Sequence, residues 1–226
     1  MSPISHQGHR KRMKERFAQE GLDHFSDIQV LELLLFYCNP RQDTNPIAHA
    51  LLDHFGSLAQ VLEAPVEELQ KVSGVGQNAA LFLHLITEVG RYYLVNRVSQ
   101  CRILSTVEEC AEYLLPFFYG RRVETVFLLC LDAKCKVLCC KEVGEGSVNS
   151  AGISVRKIVE TALGVNASTV VLAHNHTSGI ALPSPEDRET TLTLKAALDA
   201  VGILLADHII VADDDFVSLA DDGLLG

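Results

Sequence analysis

The chain is 226 residues long, 48% hydrophobic and 21% charged, with a formal net charge of −10. Its length allows one large domain or two small ones, and its composition is that of a soluble globular protein. The acidic balance argues against bulk electrostatic attraction to nucleic acid, and no apolar run approaches the ~18 residues that a membrane helix needs.

Residues 1–100 carry nine Lys/Arg and eleven Asp/Glu, and residues 101–226 carry ten and eighteen, so the acidic excess lies in the second part. The basic residues concentrate in "HRKRMKERF", where five stand against Glu15. That stretch reads either as the solvated face of a first helix or as a contact to a phosphate backbone. No apolar stretch follows it, so no secretory signal is visible and the expected location is cytoplasmic. The seven cysteines are odd in number and scattered through apolar runs. This is the pattern of buried reduced thiols rather than of disulfides. Cys135, Cys139 and Cys140 lack the paired C-x2-C spacing of structural zinc sites.

From His9 to about Asn96 the periodicity is helical. "SDIQVLELLLFYC" opens on the cap residues Ser26 and Asp27, and "DTNPIAHALLDHFGS" gives a second helix ended by Gly56. "LAQVLEAPVEELQKV" gives two more, broken at Pro65, which suits a first helical turn. In "VSGVGQNAALFLHLITEVGRYYL", Gly74-Val75-Gly76 is a tight turn leading into a long helix. Two glycines let the backbone approach a ligand, and the helix N-terminus offers free N–H groups to an anion. The turn resembles the helix-hairpin-helix motif, which holds a DNA phosphate without reading bases. Gly74 and Gly76 are therefore candidate phosphate contacts. A compact helix–helix turn explains the same glycines.

The polar stretch "NRVSQCRILS" loses helical periodicity and divides an all-helical domain, residues 1–98, from a second domain, residues 103–226. The second domain begins with a capping box at Thr106 and Glu109 in "TVEECAEYLLPFF". "VETVFLLCLD" and "KVLCCKEVG" read as strands, "SVRKIVETALGV" as a helix and "STVVLAHNH" as a strand. "PEDRETTLTLKAALDAVG" is a long helix, "ILLADHIIVADD" a strand, and "FVSLADDG" holds a last short strand. Strands alternating with helices predict an α/β sandwich around a mixed sheet.

Chemistry is expected at "VVLAHNHTSGIALPSPED". In a strand, residues i and i+2 share a side, so His174 and His176 project together, roughly 6–7 Å apart at Cα, while Asn175 turns away. The loop "TSGIALPSP" contains Gly179 and two prolines and suits a tight reversal. Ser184 and Pro185 start a helix, which puts Asp187 in its first turn near the strand end. Two histidines and a carboxylate suit a catalytic Zn²⁺ and leave a fourth position for water. Helix capping explains Ser184 and Asp187 taken alone, and the whole pattern H-x-H-x7-S-x2-D is what carries the metal reading. An N/O donor set also admits Mn²⁺ or Fe²⁺. Asp207 and His208 in "LADHIIV" read as a strand-end acid and a satisfied histidine, with a role in orienting a ligand imidazole as the alternative.

This spacing resembles the JAMM (MPN-type) metalloprotease motif. The longer strings "GEGSVNSAGISVRKIVETAL", "AHNHTSGIALPSPED" and "LADHIIV" resemble the RadC family in particular, and the helical first half is similar to that family's amino-terminal region. Thr177 stands where the family's HNHPSG has proline, and "SVRK" at Ser154 to Lys157 stands where the family reads HPRE. The resemblance implies a cytidine-deaminase-like mixed-sheet domain behind a small helix-hairpin-helix-like domain. It also implies a zinc-dependent hydrolase of amide or isopeptide bonds, acting on a peptide or protein. A glutamate on an earlier strand would be the general base. Glu124 matches the E-x-x-F-x-x-x-L-D form of that strand, and Glu142 on the next strand is the second candidate. Zinc would lower the pKa of water toward ~7, the glutamate would carry the proton to the leaving amine, and Ser184 would help stabilise the oxyanion. The alternative is a DNA-associated protein, with DNA at the N-terminal domain and a structural or vestigial metal site.

Overall fold

The computed structural model describes residues 4–40, 42–98, 102–146, 154–213 and 215–225. Two compact units, Met1–Gly90 and Arg91–Gly226, divide the chain. The division falls inside one long helix, ahead of the polar stretch that marks the boundary in the sequence.

The first unit is built from α1 (Ile4–Glu20), α2 (Asp27–Cys38), α3 (Asn45–Phe55), α4 (Leu58–Glu63), α5 (Val66–Leu69) and the start of α6 (Gln77–Val98). Ser26 caps α2 in a full capping box with Gln29, satisfying N–H groups that a helix start leaves free. Pro65 lies at the N-cap of α5, one position before the first helical turn where the sequence placed it. Leu31, Leu35, Leu51, Val61, Leu69 and Leu83 form the core of this unit.

The second unit begins with α7 (Val107–Phe118), whose capping box pairs Thr106 with Glu109. Then follow β1 (Thr125–Leu131), β2 (Val137–Glu145), α8 (Val155–Gly164), β3 (Thr169–Asn175), α9 (Pro185–Asp199), β4 (Leu204–Ala212) and β5 (Asp215–Ser218). The sheet order is β2-β1-β3-β4-β5. Only β3 and β4 pair in parallel, and the other neighbours are antiparallel. The mixed α/β architecture expected from the sequence is therefore present, behind a helical N-terminal unit.

Both faces of this sheet are covered, which explains why β1 reads as a continuous apolar run and is buried at every position. Phe127, Leu129, Val171 and Ala173 pack with Leu114, Phe117 and Phe118 of α7. Val126, Leu128, Val170 and Leu172 pack with Ile158 of α8 and Leu194 and Leu198 of α9. Strand alternation then fixes the face of every polar residue that follows, so His174, two residues beyond Leu172, lies on the α8/α9 face.

Candidate metal centre

The site forms where β3 ends against the first turn of α9. His174 lies in β3, directly opposite Val126 of β1. His176 lies just past the strand, but its N–H donates to Val211 O at 2.8 Å and extends the pairing with β4. Two residues apart on an extended chain, the imidazoles meet, with their Nε2 atoms 2.9 Å apart. Ser184 caps α9, Pro185 occupies its first turn, and the capping box closes on Asp187.

In that box Ser184 Oγ donates to Asp187 Oδ2 at 2.6 Å, Ser184 N donates to the same oxygen at 2.8 Å, and Asp187 N donates back to Ser184 Oγ at 3.1 Å. The carboxylate is thereby aimed at the histidines. Asp187 Oδ1 lies 3.3 Å from His174 Nε2, and Oδ2 lies 3.4 Å from His176 Nε2. Burial pushes the Asp187 carboxyl up, but its contact with His174 and the hydrogen bonds from Ser184 outweigh it, holding the group well below the usual carboxylate range.

These three side chains fit a divalent cation. One ligand atom from each lies within 4.8 Å of the other two. Ligands about 2.0–2.2 Å from a tetrahedral ion stand roughly 3.3 Å from one another, close to the spacing found here. His176 Nδ1 faces the carbonyl of Ile180 at 3.2 Å. A carbonyl only accepts, so His176 carries a proton on Nδ1 and turns Nε2 to the cluster. His174 is 1% exposed and the His176 side chain 16%, so the centre opens to solvent on the His176 side.

The other candidates fall in different places. Glu124 stands one residue ahead of β1, whose pairing with β3 begins at Val126 opposite His174. Main-chain pairing does reach Glu124, since Gly146 N donates to its carbonyl at 2.7 Å. Glu142, the second candidate base, is corrected by the fold. It pairs with Phe127 on the α7 face, opposite the histidines, and is held there by Arg121 Nη2 at 2.8 Å. Ser184 Oγ has its single proton on Asp187, so it is a helix cap and a ligand-orienting group before anything else.

Gly74 has a packing explanation. Its φ is +89°, and a Cβ added there would lie 2.9 Å from Ile47 Cγ1, so both conformation and space require glycine. Gly76 precedes α6 and has nothing within 4 Å of an added Cβ. In the basic stretch, Arg10 bonds to the carbonyls of Asn39 and Gln42, Arg16 to the carbonyl of His24, and Lys14 lies 4.6 Å from the Tyr37 ring centroid.

Three further residues belong to the centre, and for one of them, His208, the sequence carried ligand orientation as the alternative reading. His208, read as a satisfied strand histidine, is fully buried with its Nε2 2.8 Å from His174 Nδ1. A bulge in β4 puts it there. The register passes from Val170↔Leu205 to Val171↔Asp207, leaving Ala206 extra, so His208 rather than Asp207 faces the α9 side. Asp207 turns to the other face and accepts from Ser218 Oγ at 2.7 Å. Thr191 contacts His208 Nδ1 at 2.5 Å. It stands four residues after Asp187, a helical spacing legible in the sequence. Asn175 holds the main chain on both sides of Glu124. Its Oδ1 accepts from Thr125 N at 2.7 Å and its Nδ2 donates to Val123 O at 3.2 Å.

Comparison with known proteins agrees with this architecture. The family described as RadC-like JAB domain matches residues 104–224, and that described as UPF0758 N-terminal matches residues 4–81. A UPF0758 protein of Fusobacterium nucleatum is 32% identical over 232 residues, covering the whole of both chains. One from Ruegeria pomeroyi is 35% identical over 217 residues, 96% of this chain and 97% of its own. A third, from Rhodobacter capsulatus, is 34% identical over 213 residues, 94% of this chain and all of its own. With likeness running from the helical unit through the His-His-Asp cluster, the chain belongs to the RadC family of UPF0758 proteins.

Proposed function

We propose that this protein is a zinc-dependent hydrolase that cleaves an amide or isopeptide bond in a peptide or protein. The observation that supports this most directly is the buried convergence of His174, His176 and Asp187, with His176 its partly exposed member. Two imidazoles and one carboxylate are three ligands, the number that leaves a position for reaction, whereas structural zinc sites close all four. Bound there, zinc would supply Lewis acidity and hydroxide at neutral pH.

The protein's own groups do the rest. The Glu124 carboxylate takes a proton from water as its oxygen adds to the carbonyl carbon, then delivers that proton to the amine nitrogen as the C–N bond breaks. Ser184, whose one proton is on Asp187, holds that ligand in place rather than donating to the developing oxyanion. The approach from the His176 side passes the exposed Ile180 and Leu182, which offer apolar surface to a polypeptide.

The test begins with metal content of protein purified without chelator. About one zinc per chain is expected in the wild type and none in His176→Ala. Zinc-loaded protein should then cleave members of a peptide library, and Glu124→Gln should keep its zinc and lose roughly 10²–10⁴-fold in rate. A folded wild type without metal, or a Glu124→Gln variant as active as wild type, would sink the reading.

A further inference from the structure

Behind the three ligands lies a chain of hydrogen bonds with one possible direction. It ends on a main-chain carbonyl: Thr191 Oγ1 donates to Asp187 O at 2.5 Å. A hydroxyl has one proton. With that proton on the carbonyl, Thr191 Oγ1 meets His208 Nδ1, also at 2.5 Å, only as an acceptor. His208 must therefore carry its proton on Nδ1. The ring is fully buried, and a lone charge is costly there, so it holds one proton and its Nε2 is a bare lone pair. His174 Nδ1, 2.8 Å from that lone pair, must then be the donor. This leaves Nε2, the atom that faces His176 and Asp187, as the His174 nitrogen turned to the cluster and able to bind a metal.

We infer that Thr191 and His208 are positioning residues that set the tautomer of His174, so that its Nε2 lone pair is presented to the metal. This inference rests on the metal reading above, but its own content is the proton's location. The relay also joins two ligands, since it starts on the ring of His174 and ends on the main chain of Asp187. His176 has its own version in the Ile180 carbonyl. The more buried ligand has no carbonyl to face and uses a second histidine and a threonine instead.

The experiment is long-range ¹H–¹⁵N correlation spectroscopy of the imidazole nitrogens in the metal-free full chain, together with zinc affinity by chelator competition. In the metal-free wild type, His174 and His208 should each carry a proton on Nδ1, and His208 should carry none on Nε2. Thr191→Val, which keeps shape and removes the hydroxyl, should let His208 redistribute its proton and weaken zinc binding about 10–100-fold. Thr191→Ser should retain both the tautomers and the affinity, which separates the hydroxyl from packing, because serine also loses a buried methyl. A His174 without a proton on Nδ1, or a His208 protonated on Nε2, in the wild type overturns the inference whatever the zinc affinity. So does a folded Thr191→Val that keeps wild-type affinity and spectrum. A wild type showing both Nδ1–H tautomers but no zinc binding supports the relay and overturns the metal reading alone.

Discussion

Asn175 stands between the two imidazoles and bonds to the main chain of Val123 and Thr125, on either side of Glu124. The Thr125 N–H it accepts lies in a fully buried residue. Asn175→Ala should therefore destabilise the fold by about 1–3 kcal/mol, the cost of leaving a buried donor without its acceptor. Urea unfolding measures that directly. The metal ligands do not depend on the Asn175 amide, so the variant is expected to keep its zinc while its hydrolytic rate falls as Glu124 is released. Joint loss of zinc and rate would instead make Asn175 a support of the ligands. At this scale the sequence was most informative where the geometry is local. His174, His176 and Asp187 follow from a strand period of two and a helix start. Asn175, by contrast, was set aside as the residue that turns away, because its partners lie some fifty positions earlier and only the β1–β3 register brings them near.

Among the elements, α9 and β4 divide the centre between them. The first turn of α9 carries Asp187, and the next turn carries Thr191 on the same face, buried against His208. The position of His208 depends on the extra Ala206 in β4. Bulges leave little local mark in a sequence, and that is why the "DH" pair could be seen but not assigned a face. The choice between Glu124 and Glu142 had the same character: only the pairing register shows that Glu142 lies on the sheet face opposite the histidines. In the helical unit, α1 carries the basic stretch that admitted two readings. Its Arg10 lies 4.7 Å from the Phe36 ring centroid and bonds to carbonyls in the segment after α2. Arg10→Ala should then cost about 1–2 kcal/mol of stability through lost charge-assisted hydrogen bonds. Lys11→Ala, whose ion pair with Glu15 is exposed on both sides, should cost almost nothing. Chemical denaturation of the pair checks this, and equal midpoints would remove Arg10 from the packing of the unit.

For the molecule as a whole, the metal and the core are separate sources of stability. The sheet is covered on both faces by apolar clusters that do not include the ligands. Chelation should therefore lower the unfolding temperature without unfolding the chain, and zinc at a hundred times its Kd should add about 2.7 kcal/mol. Thermal scans with and without chelator, alongside far-ultraviolet circular dichroism at room temperature, test both halves. Collapse of the secondary structure on chelation would mark a structural metal and favour the non-catalytic alternative. Among the described residues, no helix is long and apolar enough to cross a membrane. The parallel pairing of β3 with β4 also sets an order in time. Parallel neighbours need a crossover, so all of α9 must be made before β4 can dock. A growing chain thus presents His174, His176 and Asp187 while the strand bearing His208 is still being made, so the hydrogen-bond chain behind the candidate ligands is complete only once β4 has docked.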